Sequence, residues 1–388
     1  MQYNCQNLTE FIRNRADDLG NFGKNLIEKR FEDSFQLKEA IEANFGEMRD
    51  FVLERRLTNL SIIHEVKENL EDVDEKCNYP LLITPDGSKL IYFSGKQEIV
   101  IQSLEKNGQK TATRIENPFL ESSRFELNGP IAISPNGDEI AVKGWVAPLG
   151  SILIRFDLKT SRMIGNPKKF SAYSVAFNYD ETGKKIICGA AINIHEVEIT
   201  ADNYFASAID YNTGDDWSMS DEFKADFYKM ELANNNSTVV SLNNKGLLAF
   251  WNRKEKKGVD RIFAVKNFSV SHDGKRVAYI NDLNNKVCIY DYENNYIQSP
   301  IKAEAENVAF DATGRFIITE FGGKISVWDL TAESDNLISS YELPKKIKWH
   351  RMKKRFLQVT AQNKIIFGDE GGNVCVIGRL GGNKCLSS

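Results

Sequence analysis

Short apolar runs with an alternating pattern, separated by polar turns, recur along the chain from about residue 80 onward. Residues 316–330 show the pattern best: an apolar strand, a Gly322-Gly323 turn, and a second strand that ends in Trp328-Asp329. Alternation over a short run that is bounded by turn residues predicts a β-strand. The pattern therefore predicts a series of antiparallel hairpins.

Turns that contain Asp-Gly, Asn-Gly or Thr-Gly divide these runs at a regular interval. Their glycines, at positions 87, 137, 183, 274 and 314, are separated by 50, 46, 91 and 40 residues. The step of 91 residues holds two units, because residues 230–251 supply three further strands and two turns. A seventh unit has strands predicted at 347–350, 356–359, 364–367 and 374–377. Units of roughly 40–45 residues with four strands each are typical of a β-propeller.

The predicted third strands end alike, in a large apolar residue followed by Asp or Asn. These pairs are Phe156-Asp157, Ile209-Asp210, Trp251-Asn252, Tyr290-Asp291 and Trp328-Asp329. Residues 80–380 resemble the WD40 repeat family in this feature, although a literal Trp-Asp occurs in one unit and no Gly-His precedes a first strand. The resemblance implies an all-β fold, a seven-bladed propeller of four-stranded antiparallel blades. It also implies a non-enzymatic scaffold. Because Trp-Asp occurs once and Gly-His is missing, the buried Asp–His network of a standard blade is mostly absent.

Residues 1–77 differ in composition, with 17 acidic and 11 basic side chains against 37 and 39 in residues 78–388. Apolar residues there recur at steps of three and four, which predicts α-helices. One such stripe contains Phe31, Phe35, Phe45 and Val52. We therefore predict a helical segment at 1–77 and a propeller at 78–388. The helices either pack within the fold or present the stripe to a coiled coil or a partner.

A further apolar stretch at residues 57–70 fits two structures. Leu57, Leu60, Ile63 and Val66 follow the spacing of a third helix. Residues 61–66 also fit a strand that closes the propeller ring, and the sequence leaves both possibilities open.

Charge and cysteine usage narrow the class of protein. The net charge of −4 does not favour a general nucleic-acid binder. The six cysteines form no Cys-x-x-Cys pair, the first residues do not resemble a signal peptide, and no apolar run is long enough to cross a membrane. These features predict a reducing location, cytoplasmic or nuclear, and no membrane span.

No motif predicts catalysis. The four histidines, at 64, 195, 272 and 350, have no metal-ligand spacing, and no nucleophile elbow, zinc-protease motif, P-loop or dinucleotide fingerprint occurs. We therefore expect no catalytic residue, metal or cofactor. The alternative is a propeller enzyme similar to the lactonase or dehydrogenase propellers, with a site in the central funnel.

Partner binding is expected at the mouth formed by the loops between second and third strands and between blades. Strand counting places Lys96, Trp145, His195, Asn244, Asn285 and Phe321 there. Exposed aromatic residues such as Trp145 and Phe321 are typical of binding hot spots. His195 is expected in the longest insertion between strands. With Phe35 and Phe45 of the helices, Lys96, Trp145, His195 and Phe321 are our predicted contacts for other proteins, in an assembly of several subunits.

One basic cluster carries an alternative function. Residues 345–355 include Lys345, Lys346, Arg351, Lys353, Lys354 and Arg355. This cluster is either a solvated surface or a contact for phosphate, RNA or lipid. The predicted function is a protein-interaction scaffold of WD40-repeat type.

Overall fold

The computed structural model describes residues 57, 60–67, 81–94, 98–103, 112–115, 125–147, 150–169, 176–189, 194–199, 205–210, 227–233, 236–292, 294, 296–298, 301, 303–332, 336–343, 355–360, 363–369 and 373–379. The predicted helices within residues 1–56 lie outside the described residues.

The described strands form seven four-stranded antiparallel sheets, each made almost entirely from one continuous segment of chain. Their bounds in blades 1 to 3 are β2 (Leu81–Ile83), β3 (Lys89–Ser94), β4 (Glu98–Ser103), β5 (Ala112–Ile115), β6 (Phe125–Ile133), β7 (Glu139–Val146), β8 (Gly150–Asp157), β9 (Arg162–Lys169), β10 (Ala176–Tyr179), β11 (Lys185–Gly189), β12 (Ile194–Ile199) and β13 (Phe205–Asp210). In blades 4 to 6 they are β14 (Phe227–Ala233), β15 (Thr238–Asn243), β16 (Leu248–Asn252), β17 (Lys257–Ile262), β18 (Val265–Val270), β19 (Arg276–Asn281), β20 (Val287–Asp291), β21 (Tyr296–Gln298), β22 (Asn307–Phe310), β23 (Phe316–Phe321), β24 (Lys324–Asp329) and β25 (Leu337–Glu342). Blade 7 contains β26 (Arg355–Val359), β27 (Ile365–Asp369), β28 (Asn373–Arg379) and β1 (Leu60–Lys67).

The seven blades form a closed ring, as the repeat predicted. The first strands of neighbouring blades contact one another in order from β2 to β26. The ammonium group of Lys364 in blade 7 then donates to the carbonyl oxygen of Gly87 in blade 1 at 3.2 Å. The fold is therefore a seven-bladed β-propeller with the first strand of each blade innermost.

Blade 7 takes its outermost strand from the N-terminal side of the chain. β1 pairs antiparallel with β28, from Leu60 opposite Arg379 to Lys67 opposite Asn373, with one shift of register between Ile62 and His64. The helical interpretation is therefore wrong for residues 60–67, and the alternative of a ring-closing strand is confirmed. The propeller includes this segment, which lies ahead of the predicted boundary at residue 78.

The strands predicted for blade 7 are wrong by one place. Because β1 occupies the outermost position, β26 to β28 are the first three strands of the blade. The run at 356–359 is thus the first strand and not the second. Residues 347–350, predicted as the first strand, lie outside the described residues.

The turn between the first and second strand repeats in all seven described blades. One residue of each turn has a positive φ, between 55° and 74°: Gly87, Gly137, Gly183, Asn236, Gly274, Gly314 and Asn363. Glycine and asparagine adopt this left-handed conformation at low cost. A Cβ atom at Gly137 would also lie 3.1 Å from Pro85 of the previous blade, so this turn favours glycine for a second reason.

The core lies between the blades. Separate clusters of buried apolar side chains fill the interfaces from blades 1 and 2 to blades 6 and 7. Leu57, just ahead of β1, is 1% exposed in the cluster between blades 6 and 7. The hydroxyl group of Ser339 donates to its carbonyl oxygen at 2.7 Å. Among the described residues, the contacts that close the ring therefore begin at residue 57.

Two third-strand tryptophans are hydrogen-bonded to the second strand of their own blade. The indole of Trp251 donates to the Ser241 hydroxyl at 2.7 Å, and that of Trp328 donates to the Thr319 hydroxyl at 2.9 Å. A buried indole N–H needs such an acceptor. The aromatic residues of the repeat thus pack between the sheets as core residues.

Antiparallel order within the blades gives the ring two faces. The loops between second and third strands and the connections between blades lie at one end, which we call the upper face. The turns between first and second strands and those between third and fourth strands lie at the other, the lower face.

The closing strand gives a direct test of the fold. We expect the chain lacking residues 1–56 to remain folded, since Leu57 and β1 are kept. The chain lacking residues 1–67 should lose cooperative unfolding, since the edge of β28 is then unpaired. Replacing Leu57 by Ala in the full chain should cost about 2–5 kcal/mol of unfolding free energy. Thermal and denaturant unfolding measure all three. A wild-type stability without residues 1–67 would contradict this account of closure.

Candidate interaction surface

Three of the residues predicted for the mouth lie at the upper face. Asn244 is in the turn between β15 and β16, Asn285 is in the turn between β19 and β20, and Phe321 ends β23. The Phe321 residue is 40% exposed. The structure therefore places these residues at one end of the ring, and their role in binding stays a prediction.

Two other predicted mouth residues lie in strands and not in loops. Trp145 is in β7, opposite Ser151 of β8, and is half-buried. His195 is in β12, the third strand of blade 3, opposite Cys188 and Asp210. The connection before β12 is short, and the apolar Ile194 and Val197 are both fully buried. This correction also makes Asp210 the end of a fourth strand, not of a third.

The carboxylate beside His195 serves the contact between blades 3 and 4. Glu196 is 2% exposed and accepts a bond from Arg253 Nε at 2.9 Å. The Arg253 guanidinium also donates to Glu181 at 2.8 Å and to the carbonyl oxygen of Asn236 at 2.7 Å. The segment around His195, predicted as an insertion between strands, is therefore part of a strand and contributes Glu196 to an ion-pair cluster between blades.

The remaining predicted contacts lie outside the described residues. These are Lys96, Phe35, Phe45 and the basic cluster, apart from Arg355, the first residue of β26.

At the upper face the structure adds two exposed apolar side chains that the sequence analysis missed. Leu283, in the turn between β19 and β20, is 84% exposed, and Phe263, in the connection from blade 4 to blade 5, is 48% exposed. Leu283 stands alone among Asn281, Asp282 and Asn284. An isolated apolar residue at the tip of a polar turn was the available signal. We call Phe263, Leu283 and Phe321 together the apolar patch.

Backbone hydrogen bonds join the loops that carry the patch. The amide of Asp282 donates to the carbonyl oxygen of Ala264 at 2.6 Å, next to Leu283 and Phe263 respectively. On the other side, the amide of Ala305 donates to Asn285 at 2.8 Å, and the amide of Glu306 donates to Glu320 at 2.7 Å. The three apolar residues therefore belong to one connected set of upper-face loops.

Two turns of this set are also held by a buried or half-buried side-chain acceptor. The Asn281 carboxamide accepts from the Leu283 amide at 2.9 Å, and the Glu320 carboxylate accepts from the Gly323 amide at 2.9 Å. The Arg261 guanidinium lies 5.5 Å from the centre of the Phe263 ring, within the range of a cation–π contact. Apolar side chains on turns that are already ordered lose little entropy when a partner covers them.

Exposed large apolar residues are confined to one sector of the described chain. Besides the patch they are Val259, Tyr296, Ile297 and Leu337, all within blades 4 to 6. Val259, Tyr296 and Ile297 lie on the outermost strands β17 and β21, and we call them the rim set. Exposed apolar residues that cluster in one sector mark an interaction surface more often than the same number scattered singly.

The central channel is the place where a propeller enzyme would hold its site. A cavity of about 260 Å³ there is lined by polar residues of the innermost strands, including Lys229, Glu231 and Gln358, together with apolar ones. The ammonium group of Lys229 lies 3.1 Å from the Glu231 carboxylate. Across the described residues, no group of three His, Cys, Asp or Glu side chains is arranged to hold a metal. The same part of the chain contains no helix that is long and apolar enough to span a membrane.

Comparison with known proteins supports the architecture alone. No protein-family model matches the chain, and no curated protein matches it. A chain from the solved structure titled Crystal Structure of Mitotic Checkpoint Complex is similar, with a TM-score of 0.59 and 9% sequence identity. The match covers 82% of this chain and 94% of that one. The fold is a WD40-like seven-bladed β-propeller. At this identity the likeness extends to the fold and not to the activity.

The exposure of the patch predicts that the fold does not need it. Replacing Leu283 by Asp should change the free energy of unfolding by no more than about 0.5 kcal/mol, as for other exposed sites. Replacing Phe250, 1% exposed between blades 4 and 5, by Ala should cost about 3–5 kcal/mol. Denaturant unfolding of both variants measures the difference. A large loss of stability in the Leu283 variant would show that this side chain packs in the folded protein.

Proposed function

We propose that this protein is a non-enzymatic interaction scaffold that binds a partner protein through the apolar patch. The observation that carries the proposal is the display of Phe263, Leu283 and Phe321 on hydrogen-bonded turns of one face. Leu283, at 84% exposure, has no packing role that would explain it. Water contact with such side chains is unfavourable by about 1.5–3 kcal/mol each, and a partner surface would recover that free energy.

A protein fits this surface better than a small ligand. The patch spans the connection from blade 4 and the turns of blades 5 and 6, and so it extends over several loops instead of forming an enclosed cavity. Small ligands are bound in concave sites that bury most of their surface. The similar solved chain belongs to a structure titled as a complex, which is compatible with a protein partner.

The proposal retains two further expectations. The N-terminal stripe of Phe31, Phe35 and Phe45 is a second contact for a partner, and a reducing compartment, cytoplasmic or nuclear, is the location. Within the described chain, Cys188, Cys288 and Cys375 take part in no disulfide bond, which is compatible with such a compartment. Burial raises the pKa of the Cys188 thiol, which makes this cysteine an inert core residue.

The test compares two matched triple variants of the full chain. In the patch variant, Phe263, Leu283 and Phe321 are replaced by Ser; in the rim variant, Val259, Tyr296 and Ile297 are replaced by Ser. Loss of three central apolar contacts should weaken partner binding by about 100-fold or more, and the rim variant should bind like the wild type. Quantitative affinity capture with mass spectrometry measures the difference.

A photo-crosslinking residue at position 283 then identifies what touches the patch. The protein that crosslinks from position 283 should be one that the patch variant fails to capture. A crosslinker at position 337, on the lower side of blade 6, is the control. A partner that is kept by the patch variant and lost by the rim variant would contradict the proposed surface and place the contact on the outer strands.

A further inference from the structure

A chain of hydrogen-bonded polar side chains, half-buried at Lys229 and Asn267 and buried at Asn307, crosses blades 4, 5 and 6 beneath the upper face. Lys229, Asn267 and Asn307 lie on the innermost strands of these blades, each seven residues ahead of the positive-φ residue of its first turn. They therefore occupy equivalent positions in three consecutive repeats. In the other four repeats the residue seven positions ahead of the positive-φ residue is apolar by sequence: Pro80, Pro130, Ala176 and Phe356.

Hydrogen bonds connect these residues to the base of the Phe321 turn. The Lys229 ammonium donates to Asn267 Oδ1 at 3.2 Å, and Asn267 Nδ2 donates to Asn307 Oδ1 at 2.9 Å. Asn307 Nδ2 then donates to Glu320 Oε2 at 2.9 Å. The second oxygen of Glu320 accepts from the Gly323 amide, on the far side of Phe321.

The charges at the two ends set the direction of every bond. A lysine ammonium can only donate, and a carboxylate can only accept. The Phe268 amide also donates to Asn267 Oδ1, at 2.8 Å, which holds the same orientation of that carboxamide. Both asparagines must therefore point their oxygen toward Lys229 and their nitrogen toward Glu320.

Burial makes this arrangement necessary. Glu320 is 0% exposed and Asn307 is 3% exposed. A buried carboxylate without compensating donors costs several kcal/mol. Asn307 donates to the Glu320 carboxylate, and Asn267 links Asn307 to the Lys229 ammonium. The same ammonium also donates to the carbonyl oxygen of Phe268 and lies 3.1 Å from Glu231, so it is shared between direct partners and a remote one.

We propose that Asn267 and Asn307 link Lys229 to Glu320 in one directional hydrogen-bond relay, and that this relay positions the Phe321 turn. Glu320 precedes Phe321, holds the Gly323 amide through its side chain, and holds the Glu306 amide through its carbonyl oxygen. Glu320 is thus a positioning residue, which does not touch the partner. Its link to partner binding rests on the proposed function.

The direction of the relay allows a test by exchange of charge. In the Asn267→Asp variant, Asn307 can satisfy the new carboxylate at position 267 or that of Glu320 but not both, since both are then acceptors. In the Glu320→Gln variant, the new amide nitrogen must face a donor, either Asn307 Nδ2 or the Gly323 N–H. The double variant restores every bond of the relay once Asn307 turns over, because the carboxylate at position 267 accepts from Asn307 and the carboxamide at position 320 donates to Asn307.

Hydrogen exchange of the peptide that contains Gly323 measures the effect. Each single variant should speed this exchange about tenfold, which corresponds to ~1.4 kcal/mol, the scale of one mismatched buried hydrogen bond. The double variant should return to the wild-type rate. Lys257→Met, which removes an exposed charge from the outermost strand of blade 4, is the control and should leave the rate unchanged.

The outcomes separate the relay from the binding surface. An additive effect in the double variant, with exchange as fast as the two single effects combined, would overturn the relay. Restored exchange together with restored partner capture supports the whole proposal. If exchange is restored while the single variants capture the partner normally, the relay does not position a binding residue, and that part of the proposal is wrong. If the patch variant itself captures the partner normally, the proposed function fails and the exchange result is unaffected.

Discussion

Closure of the ring by β1 is the constraint on which the other contacts of the protein depend. A blade is apolar on both faces, so it is stable only between two neighbours, and the buried clusters lie between blades. The pairing of Leu60–Lys67 with β28 completes the last blade with a strand from the opposite side of the sequence. Leu57 and its bond from Ser339 extend this contact to blade 6. Without it, one edge and one apolar face would be open to water.

A closed ring also explains how loops can display apolar residues without collapsing on them. The strands hold the ends of each loop, and Asn243, Asn281 and Glu320 hold the turns from inside through bonds to backbone amides. A flexible loop would fold Leu283 onto the nearest apolar surface. A turn fixed at both ends cannot, and the side chain stays available to a partner. The rigidity of the propeller is therefore part of the proposed binding mechanism and not merely its support.

The sequence predicted the parts of this fold that are local. Turn glycines and alternating runs gave the seven units, because a left-handed turn needs Gly or Asn at a definite place. Pairing of β1 with β28 could not be derived in this way, since residues 57–70 suit a helix as well as a strand until their partner is known. His195 was misplaced because strand counting assumed a longer loop before β12. At the candidate surface, Phe321 was predicted from its Gly-Gly turn, whereas Leu283 was missed because its turn contains no glycine, although it stands alone among polar residues.

The relay bears on why blades 4 to 6 differ from the rest of the ring. At the equivalent inner-strand position, blade 7 has Phe356, which is buried with 7% exposure, whereas blades 4 to 6 have Lys229, Asn267 and Asn307. Polar groups at such a position reduce stability unless every one of them is bonded. Three in a row, each bonded to the next and ending under Phe321, are difficult to explain as packing, since apolar residues serve elsewhere. The same three blades contain all the exposed large apolar residues of the described chain. Inner-strand polar residues, which reduce stability unless bonded, and exposed apolar residues thus occur in the same three blades. A shared role in presenting the patch accounts for both.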